Sequence, residues 1–371
     1  MSDDKRPLYY ADYLQLDRLL TAQAPESAKR GTPAHDEMLF IVVHQAYELW
    51  FKQILHELAR VDGIFDSDSL DDRDIGRAVA ALERIEQILK LLVAQLDVLE
   101  TMTPQDFLEF RDLLFPSSGF QSLQFRLIEV GLGLRRGDRV NFEARPFDAR
   151  LDEADRATLR SAEARPSLSD RVEAWLGRTP FVELGGYRFQ ESYRAAVAGL
   201  LGQDAATLRA NDQIKAEEKA AGLAALESAR ERFEAIYDEK RHSELVAQGA
   251  WRLSWRALQA ALFITLYRDE PALQLPFRLL NQLMDIDETM TAWRYRHALM
   301  VQRMIGMKLG TGGSSGHEYL SEAARRYRVF GDFFALSTFL IPRSALPPLP
   351  EALRSAMGYR YVACRPETPR P

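Results

Sequence analysis

Apolar positions recur every three or four residues along most of the chain, which is the spacing of α-helices with one buried face. The clearest stripe comprises Ile75, Val79, Leu82, Leu89, Leu92, Leu96 and Leu99. We find no stretch that alternates apolar and polar residues between hairpin turns, as a surface strand would. The pattern therefore predicts an all-α fold, and we expect a single large helical-bundle domain over residues 1–371.

Other segments with the helical pattern define the remaining elements. The predicted helices cover approximately 34–60, 121–135, 188–201, 205–247, 252–268, 276–306 and 318–340. A further helix is expected to begin after Thr103, because Pro104 suits a first turn and Asp106 stands in capping-box position, and to end near Pro116. Alternating charges from Asp204 to Glu244 indicate a solvated helical hairpin or a long exposed helix.

Two segments break the helical pattern. Residues 139–170 are polar and contain Pro146 and Pro166, so we expect a polar surface excursion with too few apolar residues for a second core. The tail after residue 342 is rich in proline and is expected to be irregular.

Composition excludes several classes of function. The net charge is only -6, with 27% charged residues, so nothing directs the protein to nucleic acid or to anionic lipid. The N-terminus lacks the apolar stretch of a secretory signal and no run is long enough to span a membrane, so we expect a cytoplasmic protein. The single cysteine, Cys364, excludes an internal disulfide and a thiolate metal cluster.

Histidine and carboxylates are the metal ligands that remain, and two of the six histidines lie on apolar stripes. His44 follows the spacing of Phe40, Tyr47, Phe51, Ile54 and Leu58, and His297 that of Ile286, Met290, Trp293, Met300 and Met304. Both are predicted to point inwards. A lone inward histidine is usually satisfied by a backbone carbonyl, but two on separate long helices favour a cofactor role.

Haem is the cofactor that best suits such a pair of histidines. One imidazole ligates the iron, and Met and Trp neighbours suit the apolar slot that a porphyrin needs, so we expect a haem pocket between long helices. The competing interpretation is a di-iron bundle, which requires two Glu-x-x-His pairs. Only Glu239–His242 matches, within a charged run, and we set that interpretation aside.

Arg111 and a glycine-rich segment are candidates for binding a polar ligand. Phe107 and Arg111 share a helix face. Arg111 is either a surface arginine paired with a nearby carboxylate, or it binds a substrate carboxylate through two parallel hydrogen bonds. The segment Lys308–Gly316 is not a phosphate-binding P-loop, since its lysine precedes the glycines and no strand leads into it. Its amides and the Thr311 hydroxyl suit a polar or charged group; the alternative is a flexible linker.

Six ordered blocks closely resemble the tryptophan 2,3-dioxygenase family. They are Leu8–Leu14 (LYYADYL), His35–Trp50 (HDEMLFIVVHQAYELW), Asp106–Arg111 (DFLEFR), Ser117–Arg126 (SSGFQSLQFR), Trp293–Gly306 (beginning WRYRH) and Gly310–Gly316 (GTGGSSG). The resemblance implies an all-α haem dioxygenase that adds both atoms of O2 across the indole C2–C3 bond of L-tryptophan. The product is N-formylkynurenine, in the first step of tryptophan catabolism by the kynurenine pathway.

The resemblance also implies a role for each matching residue. His297 resembles the proximal ligand of one haem b per subunit, and His44 the distal histidine, which we expect to hydrogen-bond the indole N–H rather than to abstract its proton. The implied substrate contacts are Phe40, Phe51, Phe107, Arg111 and Thr311. Tyr10, Tyr13 and Leu14 match a segment that the family inserts into a neighbouring subunit's site, which implies a homotetramer.

Two hypotheses compete with a dioxygenase. A haem-binding sensor or carrier without turnover would keep both inward histidines but would have no need of Arg111 or Thr311. A purely structural helical scaffold would satisfy its histidines with backbone carbonyls.

Overall fold

The computed structural model describes residues 7–139, 147–306 and 316–358, with the side chains of the last range described from Leu320 onwards. Most of these residues are helical. The described strands are two residues long, Glu183–Leu184 (β1) and Tyr187–Arg188 (β2), and they pair with each other in antiparallel orientation. The predicted all-α class is therefore confirmed. In this described part of the chain, no helix combines the length and apolar character needed to cross a lipid bilayer.

The described residues form a series of helices along the chain. They are α1 (Tyr10–Leu14), α2 (Leu16–Leu19), α3 (Glu26–Lys29), α4 (Glu37–Phe65), α5 (Asp72–Leu99), α6 (Pro104–Arg111), α7 (Leu123–Leu132), α8 (Glu153–Glu163), α9 (Leu168–Leu176), α10 (Phe189–Ala210), α11 (Ala216–Tyr237), α12 (Glu239–Ala247), α13 (Trp255–Leu266), α14 (Pro271–Ile305), α15 (Gly316–Arg326), α16 (Gly331–Ala335) and α17 (Glu351–Ala356). Short 3-10 turns lie at Asp112–Leu114, Gly119–Gln121, Arg136–Asp138, Pro180–Val182, Leu336–Phe339 and Arg343–Ala345.

The chain divides into two compact units. Unit 1 contains Met1–Glu57, Ile85–Arg165 and Glu288–Arg328, and unit 2 contains Leu58–Arg84, Pro166–Asp287 and Val329–Pro371. The helices α4, α5 and α14 each contribute residues to both units. The single domain over residues 1–371 stays a prediction.

Unit 1 contains the candidate site and the helices α6 and α7. The Thr103 hydroxyl accepts from the Asp106 amide and the Asp106 carboxylate bonds back to the Thr103 amide, so the predicted capping box begins α6 at Pro104. The helix ends earlier than expected, at Arg111, where a 3-10 turn follows. The predicted apolar stripe of α5 is buried along its whole length, which confirms it as a core face.

The predicted polar excursion over 139–170 lies partly outside the described residues, and its described part, from 147 onwards, contains a helix. This helix is α8, and Leu159 of α8 packs with Leu151 and with Val130 of α7 in a small apolar cluster. The leucines of the described part, Leu151, Leu159 and Leu168, are buried, even though polar residues outnumber them. The tail after residue 342 is likewise not wholly irregular, since α17 buries Leu353.

Unit 2 is built around a helical hairpin and an aromatic core. The charged region predicted as a hairpin or single helix over 205–247 is a hairpin of α10 and α11, followed by a turn at Asp238 and by α12. Helix α10 begins at Phe189, close to the predicted start at 188, but it continues to Ala210 instead of ending near 201. Its Phe189 and Tyr193 pack against Phe263 and Tyr237. These rings fill the centre of unit 2.

Candidate active site

A cavity of about 290 Å3 lies within unit 1 and has mostly apolar and aromatic walls. Six of the residues singled out from the sequence line it together: Phe40, His44, Phe51, Phe107, Arg111 and His297. They come from α4, α6 and α14, so residues distant in sequence converge on one concave space. An apolar pocket with a few convergent polar groups is the usual form of a small-molecule site.

His44 presents a defined tautomer to the cavity. Its Nδ1 lies 2.6 Å from the Phe40 carbonyl oxygen, one helical turn earlier on α4. Because a carbonyl can only accept, Nδ1 carries the proton of the neutral ring and Nε2 is left as an acceptor. Burial lowers the pKa of His44, although the Phe40 carbonyl and the nearby Glu48 carboxylate oppose the shift. The neutral, accepting form is therefore favoured at neutral pH.

His297 lies on α14 among apolar side chains. Burial lowers its pKa to about 4, with a further lowering from His44, so the imidazole is neutral and retains a free lone pair. Its Nδ1 is buried without a hydrogen-bond partner among the described residues, which leaves Nε2 as the nitrogen that can face the cavity. The indole of Trp293 stacks on the imidazole, and Met300 and Met304 continue the wall as predicted.

Aromatic rings and one arginine form the wall near His44. The Phe40 ring lies 4.1 Å from the His44 ring and 5.7 Å from that of Phe107, centre to centre. Arg111 follows Phe107 by one turn of α6, and its side chain is only 15% exposed. Its guanidinium lies 3.7 Å from the carboxylate of Asp112, which is 90% exposed. Arg111 thus has a carboxylate neighbour, as the surface alternative expects, but its side chain is largely buried and lines the cavity.

A buried ionic cluster beside the cavity was missed in the sequence. The Glu129 carboxylate accepts from Arg139 at 2.6 Å, from Arg294 at 3.0 Å and from Arg126 at 3.1 Å. Burial alone would raise the pKa of Glu129, but Arg139, Arg126 and Arg294 outweigh burial and lower it to about 2. One signal was available: Glu129 follows Arg126 by three residues in a mainly apolar helix, a spacing that brings the two charged side chains together.

Three of the described site residues do not line this cavity. Tyr10, Tyr13 and Leu14 lie on α1, where they are 74%, 70% and 40% exposed. Thr311 and most of the glycine-rich segment lie outside the described residues. Within 7–139, 147–306 and 316–358, no three histidine, cysteine or carboxylate side chains converge as metal ligands.

Comparison with known proteins gives a consistent result. A family model described as tryptophan 2,3-dioxygenase matches residues 2–340. A tryptophan 2,3-dioxygenase from Bdellovibrio bacteriovorus is 53% identical, covering 96% of this chain and 99% of that relative. Relatives of the same name from Alteromonas mediterranea and Xenopus laevis are 47% and 50% identical, covering 97% and 93% of this chain and 99% and 85% of their own lengths.

Proposed function

The chain belongs to the tryptophan 2,3-dioxygenase family, and from this premise we propose that it cleaves the indole C2–C3 bond of L-tryptophan with O2. The product is N-formylkynurenine, so the enzyme is an oxidoreductase that incorporates both oxygen atoms and begins tryptophan catabolism by the kynurenine pathway. The observation that carries the proposal is the cavity of unit 1, lined by two neutral histidines, an arginine and aromatic rings.

The residues of the cavity fit one haem b per subunit, held through His297. This imidazole has no cluster of other metal ligands beside it in the described residues, so an iron bound there must bring most of its ligands, as iron in a porphyrin does. The apolar wall of Leu96, Leu99, Met300 and Met304 suits a planar macrocycle. Haem bound there supplies the O2-binding and electron-transfer chemistry, and the remaining work belongs to the side chains.

His44 orients the indole by accepting a hydrogen bond. The Phe40 carbonyl fixes the proton on Nδ1, so Nε2 accepts from the indole N–H of the substrate. An indole N–H is a very weak acid, and a histidine with a lowered pKa is a poor base for it. His44 therefore acts by positioning the ring for reaction, and not as an obligatory base.

Arg111 and Thr311 hold the amino acid end of the substrate. A guanidinium binds a carboxylate through two parallel hydrogen bonds, and this bond is strengthened in the largely buried position of Arg111. The rings of Phe40, Phe51 and Phe107 exclude water and pack against the indole. With both ends held, binding supplies the orientation that the reaction requires.

The exposed N-terminal helix supports assembly into a homotetramer. Tyr10, Tyr13 and Leu14 are apolar or aromatic and lie largely in solvent in the isolated chain. Large exposed apolar groups in one short segment favour contact with another molecule. Insertion of this segment into a neighbouring subunit's site would complete the pocket there. A Tyr13→Ala variant is then expected to raise KM in the assembled enzyme without loss of helix content.

One assay tests the proposal. The holoenzyme, reduced and mixed with L-tryptophan in air, is expected to show a Soret band and to accumulate N-formylkynurenine with matching consumption of O2. Haem binding and tryptophan binding without O2 consumption would instead identify a sensor or carrier. Protein made with ample haem precursor that contains no haem would identify a structural scaffold.

A further inference from the structure

The indole of Trp293 lies flat against the imidazole of His297. Their ring centres are 5.0 Å apart and their planes differ by only 15°. The two residues stand one turn apart on α14, so the helix itself brings their side chains to the same face. Offset parallel packing of aromatic rings is favourable beyond the burial of their surface.

Contacts from three other helices hold the indole in place. Its Nε1 donates to the Tyr47 hydroxyl of α4 at 3.3 Å, and that hydroxyl donates to the Leu92 carbonyl of α5 at 2.5 Å. The ring of Phe125 on α7 packs against the indole at 5.1 Å between centres. Tyr47 is buried, so this chain of contacts is shielded from competing water.

The imidazole lacks the usual device that orients a metal-binding histidine. Such a histidine normally donates its second ring N–H to a carboxylate, a carbonyl or a water molecule, and this bond fixes the plane of the ring. The Nδ1 of His297 is buried without a hydrogen-bond partner in the part of the chain that the structure describes. The stacked indole is a contact that can restrict rotation of the ring in place of that bond.

We propose that Trp293, anchored by the Tyr47 hydroxyl, is a positioning residue that sets the plane of the His297 imidazole at the haem iron. The proposal rests on the proposed function, because it requires haem bound through His297. The stack takes the place of the hydrogen bond that orients the ring in other histidine sites. The shape of residue 293 is therefore more important than its ability to donate a hydrogen bond.

The test compares Trp293→Leu with Trp293→Phe in the holoenzyme. The readouts are the Fe–His stretching band in resonance Raman spectra of the reduced, O2-free protein and the rate of haem transfer to apomyoglobin. Trp293→Leu is expected to shift and broaden the band and to speed haem loss roughly tenfold, the low end of the effect of removing an outer-shell partner. Trp293→Phe keeps a flat ring and is expected to retain most of the wild-type behaviour. Trp175→Leu is the control, since Trp175 is a half-buried tryptophan of unit 2.

A second pair of variants tests the anchor. Tyr47→Phe removes the hydroxyl that accepts from Trp293 and is expected to broaden the Fe–His band in the same direction as Trp293→Leu, but less. Tyr193→Phe is matched to it, because the Tyr193 hydroxyl is also buried and also donates to a backbone carbonyl, that of Phe339 in unit 2. This control is expected to leave the band unchanged. If Trp293→Leu does not fold, the comparison of Tyr47→Phe with Tyr193→Phe decides the question.

Two results would overturn the inference. One is a wild-type Fe–His band and rate of haem loss in Trp293→Leu, or in Tyr47→Phe if the leucine variant does not fold. The other is equal damage in Trp293→Phe and Trp293→Leu, which would show that a flat ring is not what orients the imidazole. Wild-type protein that binds no haem is a different outcome, since it removes the proposed function itself.

Discussion

His242 in unit 2 and His297 in unit 1 both lie beside a tryptophan, but they differ in what their nitrogen atoms contact. The Nε2 of His242 lies 2.8 Å from the Leu253 carbonyl oxygen, and the residue is fully buried in a packed core. His297 instead borders a cavity. The Nδ1 atoms of both imidazoles are buried without a hydrogen-bond partner in the described chain, so the two residues differ at Nε2. The tryptophan ring centres lie 5.8 Å and 5.0 Å from the respective imidazoles.

The comparison separates a structural histidine from a candidate ligand. The Nε2 of His242 is held by a backbone carbonyl inside a packed core, whereas His297 lies at the wall of a cavity that can hold a bound group. His242 has the structural role that a lone buried histidine usually has. His297 combines a neighbouring cavity with an available nitrogen, and this combination supports its assignment as the haem ligand.

The largest expected effect comes from changing the two histidines to the same residue. His297→Leu is expected to abolish stable haem binding and with it turnover, because it removes the imidazole that holds the iron. His242→Leu is expected to retain the full Soret absorbance per chain. Haem content after gel filtration is the measurement, and a normal content in His297→Leu would remove the distinction between the two residues.

The ionic cluster beside the cavity gives the next largest effect. Glu129→Gln leaves three arginines around a neutral amide and is expected to reduce the free energy of unfolding by about 3–5 kcal/mol. Glu234→Gln in unit 2 is the control, since its pair with Arg194 is exposed and is expected to contribute less than about 1 kcal/mol. Equal losses in urea titrations of the two variants would contradict this account.

The same cluster predicts a dependence of stability on pH. The folded-state pKa of Glu129 is about 2, against an ordinary value of 4.5. A depressed carboxyl pKa stabilises the fold fully above the ordinary value, and this contribution is lost as pH falls from 4.5 towards 2. Urea midpoints measured across this window are expected to fall more steeply for wild type than for Glu129→Gln. Parallel curves would mean that Glu129 is not the group responsible.

A smaller effect is expected at Arg111, and it concerns binding. Arg111→Leu is expected to raise the KM for tryptophan by roughly 30- to 700-fold, the equivalent of losing about 2–4 kcal/mol from a charge-assisted pair. Arg194→Leu, in unit 2, is the control for removal of an arginine and is expected to leave KM unchanged. An unchanged KM in Arg111→Leu would place the substrate carboxylate elsewhere.

The smallest effect is expected in unit 2 and concerns stability alone. His242→Leu has a similar volume but leaves the Leu253 carbonyl without its side-chain donor, at a cost of about 1–3 kcal/mol. Thermal and urea unfolding measure this loss, while kcat and KM are expected to stay at wild-type values. A change in kcat with unchanged stability would give His242 a role in the reaction.

Periodicity was sufficient to predict most of the helices and the faces that bring His44 and His297 to the cavity, because both depend on local spacing. It did not predict the break between α15 and α16, which were expected to form one helix over 318–340. Periodicity does not predict which residues from distant parts of the chain contact one another. Neither the convergence of Glu129 with Arg294 nor the hydrogen bond from Trp293 to Tyr47 leaves a pattern in either helix alone. The charged run around His242 concealed a fully buried imidazole, since the neighbours of a residue in sequence are not its neighbours in space. The assignments of individual site residues stay predictions.

The hydrogen bond from Arg294 to Glu129 joins residues 165 positions apart, which has a consequence for biosynthesis. A nascent chain that has not yet reached Glu288 contains the first two segments of unit 1 but neither Arg294 nor His297. Domains fold as units once their sequence has emerged from the ribosome. Haem loading is therefore expected to begin only when translation is nearly complete.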